Sequence, residues 1–92
     1  MANHKSAIKR AKQSEARRLR NRSRKTHMKN AIKGVVEAMA SGSQEDTAVQ
    51  LKNAISVIDR TASRGTIHAN TASRKISRLT LRVNAFLASK SA

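Results

Sequence analysis

Arg17-Arg-Leu-Arg-Asn-Arg-Ser-Arg-Lys-Thr-His-Met28-Lys-Asn-Ala-Ile32-Lys-Gly-Val35-Val36-Glu-Ala-Met39 is one stretch with two characters. Its second half places Met28, Ile32, Val35, Val36 and Met39 on one side of a helix. Projected towards the N-terminus at about 100° per residue, the same face meets Arg10, Arg17, Arg18, Arg24 and Lys25 where aliphatic residues would be needed. The helix continues, but its reason to pack against protein stops. Roughly the first twenty to twenty-five residues therefore read as a basic spike projecting from a helical bundle.

Working outward, two breaks follow. Ser41-Gly42-Ser43 ends the first helix, with Gly42 suited to the left-handed conformation of a helix terminus. Ser43 then caps a second helix whose first turn carries Glu45 and Asp46 at the positive end of the dipole. The second break is Arg64-Gly65-Thr66, beyond which Asn70 is the expected N-cap of a third helix. Ala48, Leu51, Ile55, Ile58 and Ala62 form an apolar stripe in the second helix. Ala72, Ile76, Leu79, Val83 and Phe86 do so in the third, widened by Leu81 and Leu87. A first helix of about 38 residues would run about 57 Å, against about 30 Å for each of the others. The expected fold is all-α: a three-helix bundle with a long N-terminal helix projecting beyond it. It is read as a single domain over 1–92, with an extension at 1–25 and a bundle at 26–92.

Composition agrees. The 92 residues include no Pro, no Cys and three Gly, with one aromatic residue, Phe86. Sparse β-branched and aromatic residues favour helix over sheet. Without Cys there is neither a disulfide nor a thiolate metal site. The formal charge is +15, and it is unevenly placed. Residues 1–30 carry eleven Lys and Arg against Glu15 alone, residues 31–66 carry four of each sign, and residues 67–92 carry five basic residues and no acid. Such self-repulsion is relieved by a polyanion that releases counterions on binding.

The N-terminal run is Lys5, Lys9, Arg10, Lys12, Arg17, Arg18, Arg20, Arg22, Arg24, Lys25 and Lys29. A solvated helix face would balance these with acids, and this run does not. A transit peptide is also Arg- and Ser-rich, but here the run feeds without a break into the bundle helix. Its apolar residues (Ile8, Leu19 and alanines) make too poor a face for a membrane-surface helix. Phosphate binding is the reading that remains, with the helix inserted between RNA segments. A second basic set, Arg74, Lys75, Arg78 and Arg82, follows the same logic, because no acid occurs after Asp59. With one aromatic on an apolar stripe, base-stacking platforms are missing. Recognition is expected to rest on charge and RNA shape; Asn21, Asn30, His68 and Asn70 are able to touch base edges, but a plain surface polar role is the reading favoured for any one of them.

Other classes fall away. His4, His27 and His68 are far apart in sequence with no paired carboxylates beside them, so no metal site is expected. No Gly-rich phosphate loop is present, and neither an enzyme nor a cofactor is expected. No stretch approaches the ~20 apolar residues of a membrane span, and no signal-peptide h-region is read near the start.

Two stretches carry a resemblance. Met1-Ala-Asn-His-Lys-Ser-Ala-Ile-Lys-Arg with Arg17-Arg-Leu-Arg-Asn-Arg-Ser-Arg-Lys-Thr resembles the first helix of the bacterial and plastid S20 family of small-subunit ribosomal proteins. Asp59-Arg-Thr-Ala-Ser-Arg-Gly-Thr-Ile-His-Ala-Asn-Thr-Ala-Ser-Arg-Lys-Ile-Ser-Arg-Leu is similar to its most recognisable segment. The resemblance covers nearly the whole chain. It implies a three-helix bundle with a long first helix, bound directly to small-subunit ribosomal RNA as an early assembly protein. Carried over by position, it points to Lys5, Ser6, Lys9, Arg10, Arg17, Asn21 and Lys25, then to Gly65, His68, Asn70, Arg74, Lys75, Ser77 and Arg78. Arg64, beside the second break, joins the RNA-facing set. His4 stands where an aliphatic residue is common, and the tail from Phe86 to Ala92 runs past the usual end.

The expected function is a scaffold: a constituent of the small ribosomal subunit that binds its RNA and stabilises folding and assembly. The expected partner is small-subunit ribosomal RNA, with room for other small-subunit proteins as neighbours. The chain is expected to be a monomer within the ribosome, without membrane or small-molecule ligand. Its expected place is the cytoplasm, with an organellar ribosome as the other setting. The rival is a nucleoid-type DNA-binding protein, which would bind duplex DNA at least as well and would dimerise. A membrane-active basic segment is a third class.

Overall fold

The computed structural model describes residues 2–91, and the side chains of residues 5–90. Three helices follow in order: α1 (Ala2–Ser41), α2 (Gln44–Ser63) and α3 (Ala69–Ser91). No strand occurs among the described residues. At 1.5 Å per residue α1 runs about 60 Å, roughly twice α2.

Both breaks end in a left-handed glycine. Gly42 has φ 82° and donates its N–H to the Met39 carbonyl at 3.1 Å, while the Ser41 hydroxyl donates to Ala38 O at 2.8 Å. Gly65, φ 77°, donates to Ala62 O at 2.9 Å, and the Thr66 N–H reaches back to Thr61 O at 3.2 Å. That pair of bonds is the Schellman arrangement, which satisfies carbonyls otherwise orphaned at a helix end. Ser43 is the N-cap of α2, its Oγ accepting from the Asp46 N–H at 3.2 Å. The expected cap of α3 moves by two residues. His68 takes that place: its carbonyl accepts the Ala72 N–H at 3.0 Å, and its Nδ1 accepts the Asn70 N–H at 3.0 Å. Asn70 lies inside the first turn.

The core is Met28, Ala31 and Val35 from α1, Ala54, Val57 and Ile58 from α2, and Ala72, Leu79 and Val83 from α3. Ile32, Met39, Leu51, Ala62, Ile67, Ile76 and Leu87 pack around it. Helix α2 sits in the middle, packed along both neighbours, while α1 and α3 meet at few points. The apolar face of α2 is rotated from the expected stripe: Ala48 and Ile55 are half-buried at its margin, whereas Thr47 and Thr61 are buried. Each threonine donates its hydroxyl to the carbonyl four residues back, Thr47 to Ser43 O at 2.6 Å and Thr61 to Val57 O at 2.7 Å. A hydroxyl so satisfied can be buried without the usual penalty, and its methyl then packs as part of the core. Leu81, read as widening the stripe of α3, is instead 66% exposed. Phe86 is half-buried at the margin, with the Lys90 ammonium 5.8 Å from its ring centre.

The spike is visible in the overall dimensions. The chain measures 72 × 23 × 13 Å with a radius of gyration of 18.3 Å. A compact chain of this length would have a radius of about 12 Å. Averaged over its length α1 has almost no amphipathicity, whereas α2 and α3 are strongly amphipathic. Every described residue from 5 to 20 is exposed; burial begins with Asn21 and Arg24, both half-buried, and is complete at Met28.

Candidate nucleic-acid interface

The interface is built by a helix that outruns its partners. On α1, Lys5, Ser6, Lys9, Arg10, Lys12, Arg17, Arg18 and Arg20 are all exposed, and so are Arg22, Lys25 and Lys29 nearer the bundle. At 100° per residue these cations surround the helix on all sides. Among the described residues the one ion pair is Lys33 with Glu37, at 3.9 Å and exposed on both sides. None of the described cations of the spike is ion-paired with a protein carboxylate. Arg18, Asn21, Arg22, Lys25, Thr26 and Lys29 line one shallow groove along α1, with the Thr26 hydroxyl donating to Arg22 O at 3.0 Å.

On α3 the arginine row is exposed as expected. Arg78 and Arg82, with half-buried Lys75, border a groove towards α1 floored by Ile32 and Leu79. They lie beside the apolar stripe, along the α1–α3 seam. Arg74 and Ser77 are exposed outside that groove. His68 and Asn70 are exposed at the start of the helix, already bonded to one another. Asn21 is turned inward, accepting the Thr66 hydroxyl at 3.2 Å, and so has a structural task on the inner side of α1. Asn30 is exposed.

One grouping was not legible in the sequence. Arg24 and Arg64 meet across the α1–α2 seam together with His27 and Arg60, over a floor of Val57 and Thr61. His27 and Arg60 carry no signal of their own in the chain, since one is a lone histidine and the other sits in the charge-balanced middle. Only the helix crossing brings them together. Among the described residues no cluster of three or more His, Cys, Asp or Glu could hold a metal, and no helix is long and apolar enough to cross a membrane.

The arrangement can neutralise polyphosphate on several sides at once, and it has no exposed aromatic platform with which to read bases. Comparison with known proteins agrees. Residues 2–84 match the family model described as Ribosomal protein S20. The chain is 66% identical over 85 residues to small ribosomal subunit protein bS20 of Syntrophobacter fumaroxidans, covering 92% of this chain and 99% of that protein. It is 58% identical over 88 residues to the bS20 protein of Desulfotalea psychrophila, covering 96% and 99%, and 56% identical over 85 residues to that of Desulfosudis oleivorans, covering 92% and 97%. The family match stops two residues before Phe86. Long first helix, left-handed glycine turns, unpaired basic face and sequence agree, and this chain belongs to the ribosomal protein S20 family.

Proposed function

We propose that this chain is a structural, non-catalytic constituent of the small ribosomal subunit, which binds small-subunit ribosomal RNA directly and stabilises its folding and assembly. The observation that carries the reading is the run from 5 to 20, exposed throughout and almost free of acid. A helix with that surface gains nothing from its own bundle. Phosphates supply the missing counter-charge, and the counterions they release drive binding. The chain works as one RNA-binding domain over 1–92, with residues 1–25 as an arm and 26–92 as the body. The onset of packing at Asn21 and Arg24 supports a join in that region.

The contacts fall to Lys5, Lys9, Arg10, Lys12, Arg17, Arg18, Arg20, Arg22, Arg24, Lys25 and Lys29 on the arm and its root. Arg64, Arg74, Lys75, Arg78 and Arg82 serve the body, and Ser6, Asn21, His68, Asn70 and Ser77 add short polar contacts. The protein acts as a monomer in the bacterial cytoplasmic ribosome, beside other small-subunit proteins. Binding also raises the folded population of a small bundle, by mass action.

Competition among small-subunit ribosomal RNA, duplex DNA and anionic vesicles for the labelled full chain tests this. The ribosomal RNA should win at every salt concentration. Equal or better binding to duplex DNA would transfer the reading to a DNA-compacting protein, and preference for vesicles would transfer it to a membrane-active one.

A further inference from the structure

Arg24 is the one Lys or Arg of α1, among the described side chains, that is not exposed. It lies in a cleft of about 110 Å³ between α1 and α2, with His27 beside it and Arg60 and Arg64 facing it. We propose that this cleft seats a single phosphodiester group of the RNA backbone, making His27 and Arg60 binding residues alongside Arg24 and Arg64. The inference rests on the RNA-binding function above and adds a defined site to it.

Spacing brings the donors together. Arg24 and His27 are three apart on α1, while Arg60 lies in the last turn of α2 and Arg64, four residues on, is its C-cap, so each pair falls on one side. Three guanidinium forks and an imidazole N–H then converge on one cavity, with no carboxylate in its lining. The floor is buried protein: Val57 and Thr61 are each 5% exposed, and the Thr61 hydroxyl is spent on Val57 O. The three guanidinium groups carry like charge, and an anion among them supplies the counter-charge that the lining lacks.

One term opposes the site, because the C-terminal end of α2 carries partial negative charge. Its last carbonyls are tied up, however, with Arg60 O, Thr61 O and Ala62 O accepting the N–H groups of Arg64, Thr66 and Gly65. Arg24 is half-buried and Arg60 stands on packed α2, so the backbones that carry them are fixed before a phosphate arrives, while the side chains of His27, Arg60 and Arg64 are exposed and open to it.

The test measures affinity of the full chain for small-subunit ribosomal RNA at one fixed salt concentration. Arg60→Gln and His27→Gln are compared with Lys52→Gln, an exposed position of α2 outside the cleft. Losing a charge-assisted fork should weaken binding about tenfold for Arg60→Gln. His27→Gln should cost about threefold and Lys52→Gln less than about twofold, as expected for a single neutral contact and for a solvated charge. Thermal melts of the RNA-free variants separate lost binding from lost fold, and Arg64→Gln on the exposed turn replaces Arg60→Gln should that variant unfold. Cleft variants that bind no worse than Lys52→Gln, beside a wild type that binds, would overturn the cleft alone. A wild type that does not bind the RNA overturns both the cleft and the function it rests on.

Discussion

The Thr66 hydroxyl donates to Oδ1 of Asn21 across 3.2 Å, joining the turn between α2 and α3 to α1 at the point where α1 leaves the bundle. The two residues are 45 apart in sequence, and their bond marks the root of the arm. Asn21→Ala removes the acceptor and should lower stability by about 0.5–1.5 kcal/mol. Urea titration followed by circular dichroism measures it. An unchanged midpoint would mean that the bond is incidental.

Deletions should separate the arm from its root. Residues 5–20 are exposed throughout, so removing 1–20 should leave the melting temperature close to that of the full chain while RNA binding collapses. Removing 1–25 also takes Asn21 and half-buried Arg24, and should lower the melting temperature as well. If both truncations bound RNA like the full chain, the arm would have no part in recognition.

Affinity should fall steeply with salt. With on the order of six to ten phosphate contacts, binding should weaken ~10³–10⁵-fold between 50 and 200 mM salt. Arg78→Gln on the α1–α3 groove should reduce the slope of log K against log salt by about one. A flat titration of the wild type is the outcome that this account does not survive.

Ile58 is fully buried at the centre of α2, between both other helices. Ile58→Ala should cost about 2–5 kcal/mol, a large share of the stability of so small a domain. Loss of the cooperative thermal transition in the free protein, with partial recovery on adding RNA, is the expected result.

Two glycines should answer substitution with opposite signs. Gly65 has open space where a Cβ would go, but its φ of 77° strains any L side chain, so Gly65→Ala should destabilise by roughly 1–2 kcal/mol. Gly34 is helical, and a Cβ there meets the end of the Gln50 side chain, Oε1 at 3.0 Å and Cδ at 3.7 Å, a flexible group that can swing aside. Gly34→Ala should therefore gain up to about 1 kcal/mol from helix propensity. Paired thermal melts compare the two directly.

Much of this molecule is written locally. The two turns follow from Gly42 and Gly65, the cap of α2 follows from Ser43 with its acids, and the length of α1 follows from an uninterrupted helix-forming run. The spike is legible because charge and apolar periodicity part company along one helix, and both can be counted along the chain. What could not be counted was the rotation of each helix about its own axis once packed. A stripe of period 3.6 defines a face only to within a residue or so. The crossing of α1, α2 and α3 decided that Thr47 and Thr61 go in and Leu81 stays out. Thr47 and Thr61 carry no apolar signal in the sequence, yet bonding to the carbonyl four residues back lets them pack as core.

The sequence by itself determined three helices, two glycine turns and a cationic arm with no protein to pack against, because each depends on residues within a few positions of one another. Only the tertiary structure decided that His68 and not Asn70 opens α3, that Asn21 holds Thr66, and that Arg24, His27, Arg60 and Arg64 converge on one cleft. Those relationships join residues through the packing of helices, whose geometry is set by the fit of whole faces and is carried by no single stretch of the chain.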